Sequence, residues 1–223
     1  MIIKYNLLRS PNIGLYLVAT DDILLFPNIV PIEKLDSVVR CLRVKPIRFN
    51  LEGYLLNGAL IACNSKGILL PNFTLDGDVD RLKHLTEGKL EVGVLPCKES
   101  ALGNIILAND RGAIAYPDLP SEAIKIIRDV LDVEVERGRI AGLSIVGSLA
   151  VATNRRAIAH PGITNEERKL VESVLGIQVD VGTVNGGVPY LRGGMVANSN
   201  GAAVGVATTG PELMMIKSAL DLT

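Results

Sequence analysis

Residues Ser100–Pro117 read SALGNIILANDRGAIAYP, and this stretch decides the fold because versions of it recur along the chain. It contains an apolar segment, Ile105–Ala108, then a polar turn, Asn109–Gly112, then a second apolar segment that ends at Tyr116 and Pro117. Asn and Gly supply the positive φ that a tight connection needs, and the apolar residues can cover a buried face. The stretch therefore predicts a β-hairpin with a polar tip.

The hairpin pattern returns at a nearly constant interval. Its turns begin at Asp21, Asn64, Asn109, Asn154 and Asn198, which are 43, 45, 45 and 44 positions apart. Five units of about 45 residues account for the whole chain of 223 residues. Because one such unit cannot bury both a helix and a small sheet, neighbouring units must share a core. The repeats therefore predict a single domain over residues 1–223.

Each hairpin is followed by a predicted helix. Apolar residues recur at helical spacing over roughly residues 32–43, and a shorter, more polar helix is expected at Asp78–Leu85. Ser121 begins the third helix. The last two helices begin with capping boxes, Thr164 with Glu167 and Thr209 with Glu212.

The ends of the chain complement each other. A further short strand follows each of the first four helices, at Ile47–Phe49, Leu90–Val94, Asp132–Glu136 and Ile177–Val181. The fifth helix has no such strand, whereas the chain begins with a strand-like segment, residues 1–6, that has no helix before it. We predict that this segment pairs beside the fifth unit, so that the units close into a ring without open β edges. The expected fold is α+β, a flat disc with two chemically distinct faces.

Composition limits the functions that are open to the chain. With 48% hydrophobic and 21% charged residues and a net charge of −1, the chain can build a large core but lacks a general affinity for polyanions. Cys41, Cys63 and Cys97 lack metal-ligand spacing and are typical of buried, reduced thiols. Neither a signal sequence nor an uncharged run of about 20 residues is present. We expect a cytoplasmic protein without metal or cofactor.

Three segments together resemble a known family. SALGN at residues 100–104, YPDL at residues 116–119 and GTVNGG at residues 182–187, in this order and with this period, resemble the family of the anti-association translation initiation factor six of archaea and eukaryotes. The resemblance covers essentially the whole chain. It implies the pentein fold, an α/β propeller of five pseudosymmetric units.

The resemblance also implies a function. Members bind the intersubunit face of the large ribosomal subunit, beside the sarcin–ricin loop and against a ribosomal protein, with local contact to rRNA. Binding blocks association with the small subunit, and the family takes part in large-subunit biogenesis. The resemblance implies no catalysis and no small-molecule substrate, and we expect a monomer.

The glycine-led start of each hairpin supplies the candidates for partner binding. If the units are related by a ring, these residues lie together on one face, where small residues permit close approach by a partner. A second interpretation stays open, in which the glycines only let neighbouring strands crowd at the axis. The resemblance assigns Asn104 to the ribosomal-protein contact and puts Ala59 where eukaryotic members carry a contact arginine. The candidates are Gly14, Asn57, Gly58, Ala59, Gly103, Asn104, Gly147, Ser148 and Gly194.

A basic set is the second candidate. Arginines near a hairpin tip can meet rRNA phosphate, which dominates most nucleic-acid affinity. Acidic neighbours at positions 134 and 136 favour instead a solvated charged surface. The set consists of Arg137, Arg139, Arg155 and Arg156.

The competing function is enzymatic, as a guanidine-modifying hydrolase or transferase with the pentein fold. Such penteins use a late cysteine nucleophile with a histidine and carboxylates in the central channel. The last cysteine of this chain, Cys97, lies in the third unit, and His84 and His160 stand in a polar helix and beside a proline. Because a nucleophile needs a base within hydrogen-bond reach, these positions do not favour an enzyme. The turn Gly182–Gly187 also lacks the lysine of a phosphate-binding loop.

Overall fold

The computed structural model describes residues 1–51 and 53–222, and over these residues it contains five three-stranded sheets. In the first sheet, Val18–Ala19 pairs antiparallel with Ile23–Phe26, and Lys45–Arg48 pairs parallel with Ile23–Phe26 on its other side. The other four sheets repeat this order. The two hairpin strands and the later parallel strand of every unit are therefore as predicted.

The remaining strands have the following bounds. The second unit contains Ala62–Cys63, Gly67–Leu70 and Glu91–Val94, and the third contains Ile106–Ala108, Gly112–Ala115 and Glu134–Arg137. The fourth contains Ala150–Ala152, Arg156–Ala159 and Gln178–Val181, and the fifth contains Met195–Ala197, Ala202–Gly205 and Ile2–Tyr5.

The first strand of the chain closes the ring. Ile2–Tyr5 lies parallel to Ala202–Gly205, with Ile2 opposite Ala202 and Tyr5 opposite Gly205. The first unit's helix covers this seam, where the Cys41 thiol donates a hydrogen bond to the Ala202 carbonyl oxygen at 3.4 Å. The predicted closure of the two chain ends is confirmed.

Five longer helices pack against the sheets. The capping boxes predicted for the last two are both present. The apolar core consists of clusters shared between neighbouring units: Val130, from the third helix, packs with Ala62 and Leu69 of the second sheet. Within the described residues, none of the helices has the length and apolar character needed to cross a membrane. The helices are Asp36–Leu42, which follows a 3₁₀ turn at Ile32–Leu35, then Asp76–Leu85, Ser121–Leu131, Asn165–Leu175 and Gly210–Ala219.

Each hairpin begins from a single helical turn, which the sequence did not predict. The turns are Ile13–Leu15, Asn57–Leu60, Leu102–Ile105, Val146–Leu149 and Leu191–Gly194. With the loops that lead into them, residues 6–12, 53–56, 95–101, 138–145 and 182–190, they form what we call the helix face. The first strand of each hairpin runs away from this face. The hairpin tips therefore form the opposite surface, which we call the tip face. They are residues 20–22, 64–66, 109–111, 153–155 and 198–200.

Candidate functional site

The single-turn helices touch one another around the ring axis. A Cβ atom on Gly58 would lie 1.8 Å from the carbonyl oxygen of Gly14, and one on Gly103 would lie 2.1 Å from that of Gly58. A Cβ atom on Gly147 would lie 2.2 Å from the Gly103 carbonyl oxygen. No side chain fits in these gaps, so backbone packs directly on backbone. The glycines are buried, and this geometry favours the interpretation that they let neighbouring units crowd at the axis.

One of the five ring positions carries an arginine. Arg192 lies six residues before the tip residue Asn198, as Gly103 lies six residues before Asn109. A Cβ atom on Gly14 would lie 1.8 Å from the Arg192 carbonyl oxygen, which adds the fifth unit to this series of contacts. The sequence pattern predicts that Gly194 occupies the ring position of the fifth unit. In the structure, Arg192 occupies it.

The Arg192 side chain crosses the ring axis. Its Nε donates to the Gly58 carbonyl oxygen at 2.9 Å, and its Nη2 donates to the Ile61 carbonyl oxygen at 3.1 Å. Burial lowers the pKa of its guanidinium group. The cavity behind it has a volume of only about 50 Å³, which admits a few water molecules but not a substrate of ordinary size. The arginine therefore closes the central channel from the helix face.

Among the described residues, the cysteine that lines the channel and the two histidines lie apart. Cys63 lines the channel, and burial raises the pKa of its thiol to about 12, so the thiol stays protonated at neutral pH. His84 is exposed on a long helix, and the Nδ1 atom of His160 accepts a hydrogen bond from the Gly162 N–H at 2.8 Å. Over residues 1–51 and 53–222, no cluster of histidine, cysteine and acidic side chains could hold a metal ion.

The predicted partner-binding residues differ in what they expose. Asn104 and Ser148, each directly after a ring glycine, are half-buried on the helix face, and Ala59 is 9% exposed. Asn57 is only 1% exposed, and its Nδ2 donates to the Phe49 carbonyl oxygen at 2.6 Å. Asn104 and Ser148 can therefore reach a partner, whereas Asn57 has a structural contact.

Exposed apolar side chains concentrate on the helix face. Among the described residues, sixteen large apolar side chains are exposed, and none of them lies on a hairpin tip. Eight lie in the loops of the helix face, and we call these eight the apolar rim. Exposed apolar groups in one region mark surfaces that bind partners. The rim consists of Leu8, Tyr54, Leu55, Leu56, Leu143, Ile145, Val188 and Tyr190.

Sequence reasoning missed the apolar rim. Its residues carry no periodicity, because they stand in loops, and single exposed apolar residues are common on any surface. Their positions immediately before the hairpin starts were the available signal, since the ring places all five such loops on one face.

The tip face holds its polar side chains in internal hydrogen bonds. The Nδ2 of Asn109 donates to the carbonyl oxygens of Thr153 at 3.2 Å and Leu175 at 2.9 Å, which joins the third unit to the fourth. The Oδ1 of Asn109 accepts from the N–H groups of Arg111 and Gly112 inside its own turn. The equivalent positions in the ring are Thr20, Asn64, Asn109, Thr153 and Asn198, so Thr20 and Thr153 replace the predicted Asp21 and Asn154.

The residues directly after the tip positions form a second layer of hydrogen bonds. The Nδ2 of Asn154 donates to Asp21 at 2.9 Å and to Asp110 at 2.6 Å. The other oxygen of each carboxylate accepts a backbone N–H, from Ser199 and Ser65 respectively, at 2.7 Å. The polar groups at the centre of the tip face are therefore occupied with one another.

The four arginines considered as a candidate rRNA contact do not lie together. Arg137 ends a strand at the helix face and Arg139 lies in the loop that follows, whereas Arg155 and Arg156 are at a hairpin tip on the opposite face. The guanidinium group of Arg137 donates to the Pro117 and Leu119 carbonyl oxygens at 2.8 and 2.7 Å.

Carboxylates fasten two loops of the helix face. Glu212 accepts the N–H groups of Gly186 at 3.0 Å and Gly187 at 2.8 Å, one on each oxygen. Burial alone would raise the pKa of Glu212, but these and other hydrogen bonds outweigh it and lower the pKa to about 2. Glu167 accepts the N–H groups of Ala141 and Gly142, each at 2.8 Å, and the pKa of Glu167 is also lowered because its hydrogen bonds outweigh burial.

Comparisons with known proteins agree on one family and one fold. A family model described as the eIF-6 family matches residues 2–219. The chain is 49% identical over 220 residues to translation initiation factor 6 of Aeropyrum pernix, covering 97% of this chain and 94% of that protein. It is also 49% identical over 218 residues to translation initiation factor 6 of Nitrosopumilus maritimus, covering 98% of each chain.

The solved structures include a DDAH from Pseudomonas aeruginosa in complex with citrulline. It matches with a TM-score of 0.50 and 14% identity, over 76% of this chain and 68% of that chain. At this identity the likeness shows the pentein fold alone.

Proposed function

The chain belongs to the eIF-6 family, and from this premise we propose that its helix face docks on the intersubunit face of the large ribosomal subunit and prevents association with the small subunit. Membership supports a role in translation initiation and implies a ribosomal subunit as partner. We further propose that the protein binds the large subunit specifically and takes part in large-subunit biogenesis.

We choose the helix face as the docking surface because the exposed apolar side chains lie there. The apolar rim lies on the same face as Asn104 and Ser148. A specific interface buries on the order of 800 Å² per partner, with apolar residues at its centre and a few hydrogen bonds. The helix face offers apolar side chains and half-buried polar groups, whereas the tip face has committed its central polar groups to one another.

The charges fit a protein partner with local rRNA contact. A net charge of −1 gives no broad phosphate-binding surface. Arg139 is exposed on the helix face and can meet phosphate at the edge of a protein contact. Arg155 and Arg156 face away from this surface, so in the proposed pose they contribute nothing to rRNA binding.

Obstruction requires only a rigid body in the right place. Shared cores and backbone contacts at the axis make the disc stiff, and a docked disc excludes the small subunit by overlap. In this proposal the protein acts in the cytoplasm as a monomer, without catalysis and without a small-molecule substrate. The relatives are named translation initiation factors, and the closed channel gives no support to the guanidine-modifying alternative.

Co-sedimentation with purified ribosomal subunits tests the proposal. The wild-type protein should pellet with large but not small subunits, and it should suppress light scattering from subunit association. Asn104→Glu, on the helix face, should weaken binding at least about tenfold, which corresponds to about 1.4 kcal/mol. Asn200→Glu makes the same change at a half-buried position of the tip face and should bind normally.

Circular dichroism and thermal melting should first establish that both variants are folded. Equal binding by folded Asn104→Glu, or an equal loss in Asn200→Glu, would contradict docking through the helix face. Pelleting of the wild-type protein with neither subunit would contradict the proposed function itself.

A further inference from the structure

A tight turn on the helix face has an unusual sequence. In Leu7–Ser10, the two central residues, Leu8 and Arg9, have φ of 52° and 62°, in the left-handed region. Leu7 and Ser10 close the turn with two backbone hydrogen bonds of 3.1 and 2.9 Å. Glycine and asparagine usually fill such positions, because a longer side chain is strained there. Unusual backbone of this kind often accompanies a functional site.

The fourth unit contains the same turn with a carboxylate bound to it. Ile140–Leu143 closes with two backbone hydrogen bonds of 3.0 Å, and its central residues have φ of 53° and 73°. Both central N–H groups donate to Glu167, one to each carboxylate oxygen, at 2.8 Å. In the fifth unit, Glu212 accepts two consecutive loop N–H groups in the same way. Two units therefore use this part of the helix face as a carboxylate cradle.

The first unit has the cradle but not the carboxylate. In the fourth unit a turn begins at His160, just before the helix, and Glu167 follows seven residues later. The equivalent turn of the first unit begins at Pro27, and the residue seven positions later is Lys34. Within residues 1–51 and 53–222, no acceptor binds the N–H groups of Leu8 and Arg9. At this position the first unit therefore carries a cation where the fourth and fifth units carry an anion.

An open cavity lies where the missing carboxylate would be. It has a volume of about 500 Å³ and is lined by Leu8, Arg9, Ile29 and Lys34, together with Tyr5. Leu8 is 42% exposed and Ile29 is 60% exposed. The cavity thus combines two free backbone donors and two cationic side chains with an apolar border.

We propose that this cavity, the unit-1 cradle, binds a carboxylate side chain of the protein partner that docks on the helix face. The internal precedents fix the chemistry, since Glu167 and Glu212 each place one oxygen on each of two consecutive N–H groups. Arg9 and Lys34 supply the charge that an external carboxylate needs. The exposed Leu8 and Ile29 suit an aspartate or glutamate within a polypeptide better than a sugar–phosphate chain. The identity of the partner rests on the proposed function, but the chemistry of the cradle does not.

The cradle is tested on the isolated protein by NMR. The backbone amide resonances of Leu8 and Arg9 should move saturably on titration with N-acetylglutamate. Lys34→Glu installs the carboxylate that the fourth and fifth units possess, so these amide resonances should already be shifted and should no longer respond. Lys34→Ala removes the charge without filling the cradle, and the response should persist at several-fold weaker affinity. Lys125→Glu makes the same charge change on an exposed surface of the third helix and should respond like the wild type.

A second titration uses inorganic phosphate. Saturable shifts with phosphate but not with N-acetylglutamate would overturn the proposal in favour of a phosphate site. The absence of shifts with both probes would overturn it altogether.

Binding to large subunits tests the role of the cradle in docking. Lys34→Glu should weaken co-sedimentation at least about tenfold relative to Lys125→Glu. If N-acetylglutamate binds but Lys34→Glu still sediments normally, the partner does not use the cradle and that part of the proposal fails. If the wild-type protein does not bind large subunits, the proposed function fails, whereas the amide titration still decides whether the cradle exists.

Discussion

The two faces of the disc close the same ring by different means. On the helix face, backbone meets backbone through the glycines at positions 14, 58, 103 and 147. On the tip face, side chains such as Asn109 and Asn154 reach across to the next unit. Steric contact at one face leaves the neighbouring side chains free to meet solvent. On the tip face, the side chains that join the units are already hydrogen-bonded to one another and to the backbone. The face that closes with backbone is therefore the one that has side chains left for a partner.

The largest expected effect comes from the seam that both faces share. Deleting residues 1–5 removes the strand that pairs with Ala202–Gly205 and opens the ring. We expect a loss of at least about 5 kcal/mol, comparable with the whole stability of many domains. Urea unfolding and the melting temperature measure it. A small change in either quantity would show that the faces hold the ring closed without the seam.

Gly58→Ala tests the steric contact on the helix face. The new Cβ would lie 1.8 Å from the Gly14 carbonyl oxygen, and neither backbone can move without disturbing the next unit. We expect a loss of about 3 kcal/mol or more in the free energy of unfolding. Gly77→Ala is the control, because a Cβ on the exposed Gly77 has no neighbour within 4 Å. Equal stability of the two variants would remove the steric account of this face.

Glu212→Gln tests the fastening of a helix-face loop by charge. The folded-state pKa of about 2 lies below the ordinary value of 4.5, so the carboxylate stabilises the fold above pH 4.5 and its contribution is lost as the pH falls towards 2. The variant should lose about 2 kcal/mol at pH 7. Unfolding measured at pH 7 and pH 3 should show a smaller difference between wild type and variant at pH 3. A pH-independent difference would mean that the charge of Glu212 does not matter.

The smallest expected effect lies on the tip face. Asn109→Thr should cost less than about 1 kcal/mol, because Thr20 and Thr153 already fill the equivalent position and accept the same turn N–H groups. Asn109→Ala removes these bonds together with those to Thr153 and Leu175 and should cost about 2 kcal/mol. Denaturant titration compares the two. An equal cost would show that the bonds between units, and not those within the turn, give Asn109 its value.

The repeat made much of the fold predictable. Hairpin turns, helical stripes and the capping boxes of Thr164 and Thr209 are local patterns, and a local pattern is legible in one sequence. Ring closure followed from a missing strand at one end and an extra strand at the other, which is a matter of counting. The family resemblance is confirmed by the match of residues 2–219.

The predictions failed where local patterns are silent. A four-residue helix such as Leu102–Ile105 is too short to show a period, so its glycine was interpreted as a strand start. The glycines at 193 and 194 matched the glycine expected at the hairpin start, so the sequence did not show that Arg192 lies at the axis. Threonine supplies an oxygen to the turn as asparagine does. Because we looked for asparagine or aspartate, the predicted tip was one residue too late at Thr20 and Thr153. Of the candidate site, the sequence could propose residues, but only the ring shows which of them share a face.

The position of the closing strand has a consequence for synthesis. Ile2–Tyr5 leaves the ribosome about 200 residues before Ala202–Gly205, its pairing partner. At roughly 5–20 residues per second, the first segment waits on the order of 10–40 s for the last one. The outer strand of the fifth sheet cannot form while the polypeptide is still growing. A copy terminated before residue 202 would therefore not close the ring. Its first strand would remain an unpaired β edge, which quality control could recognise.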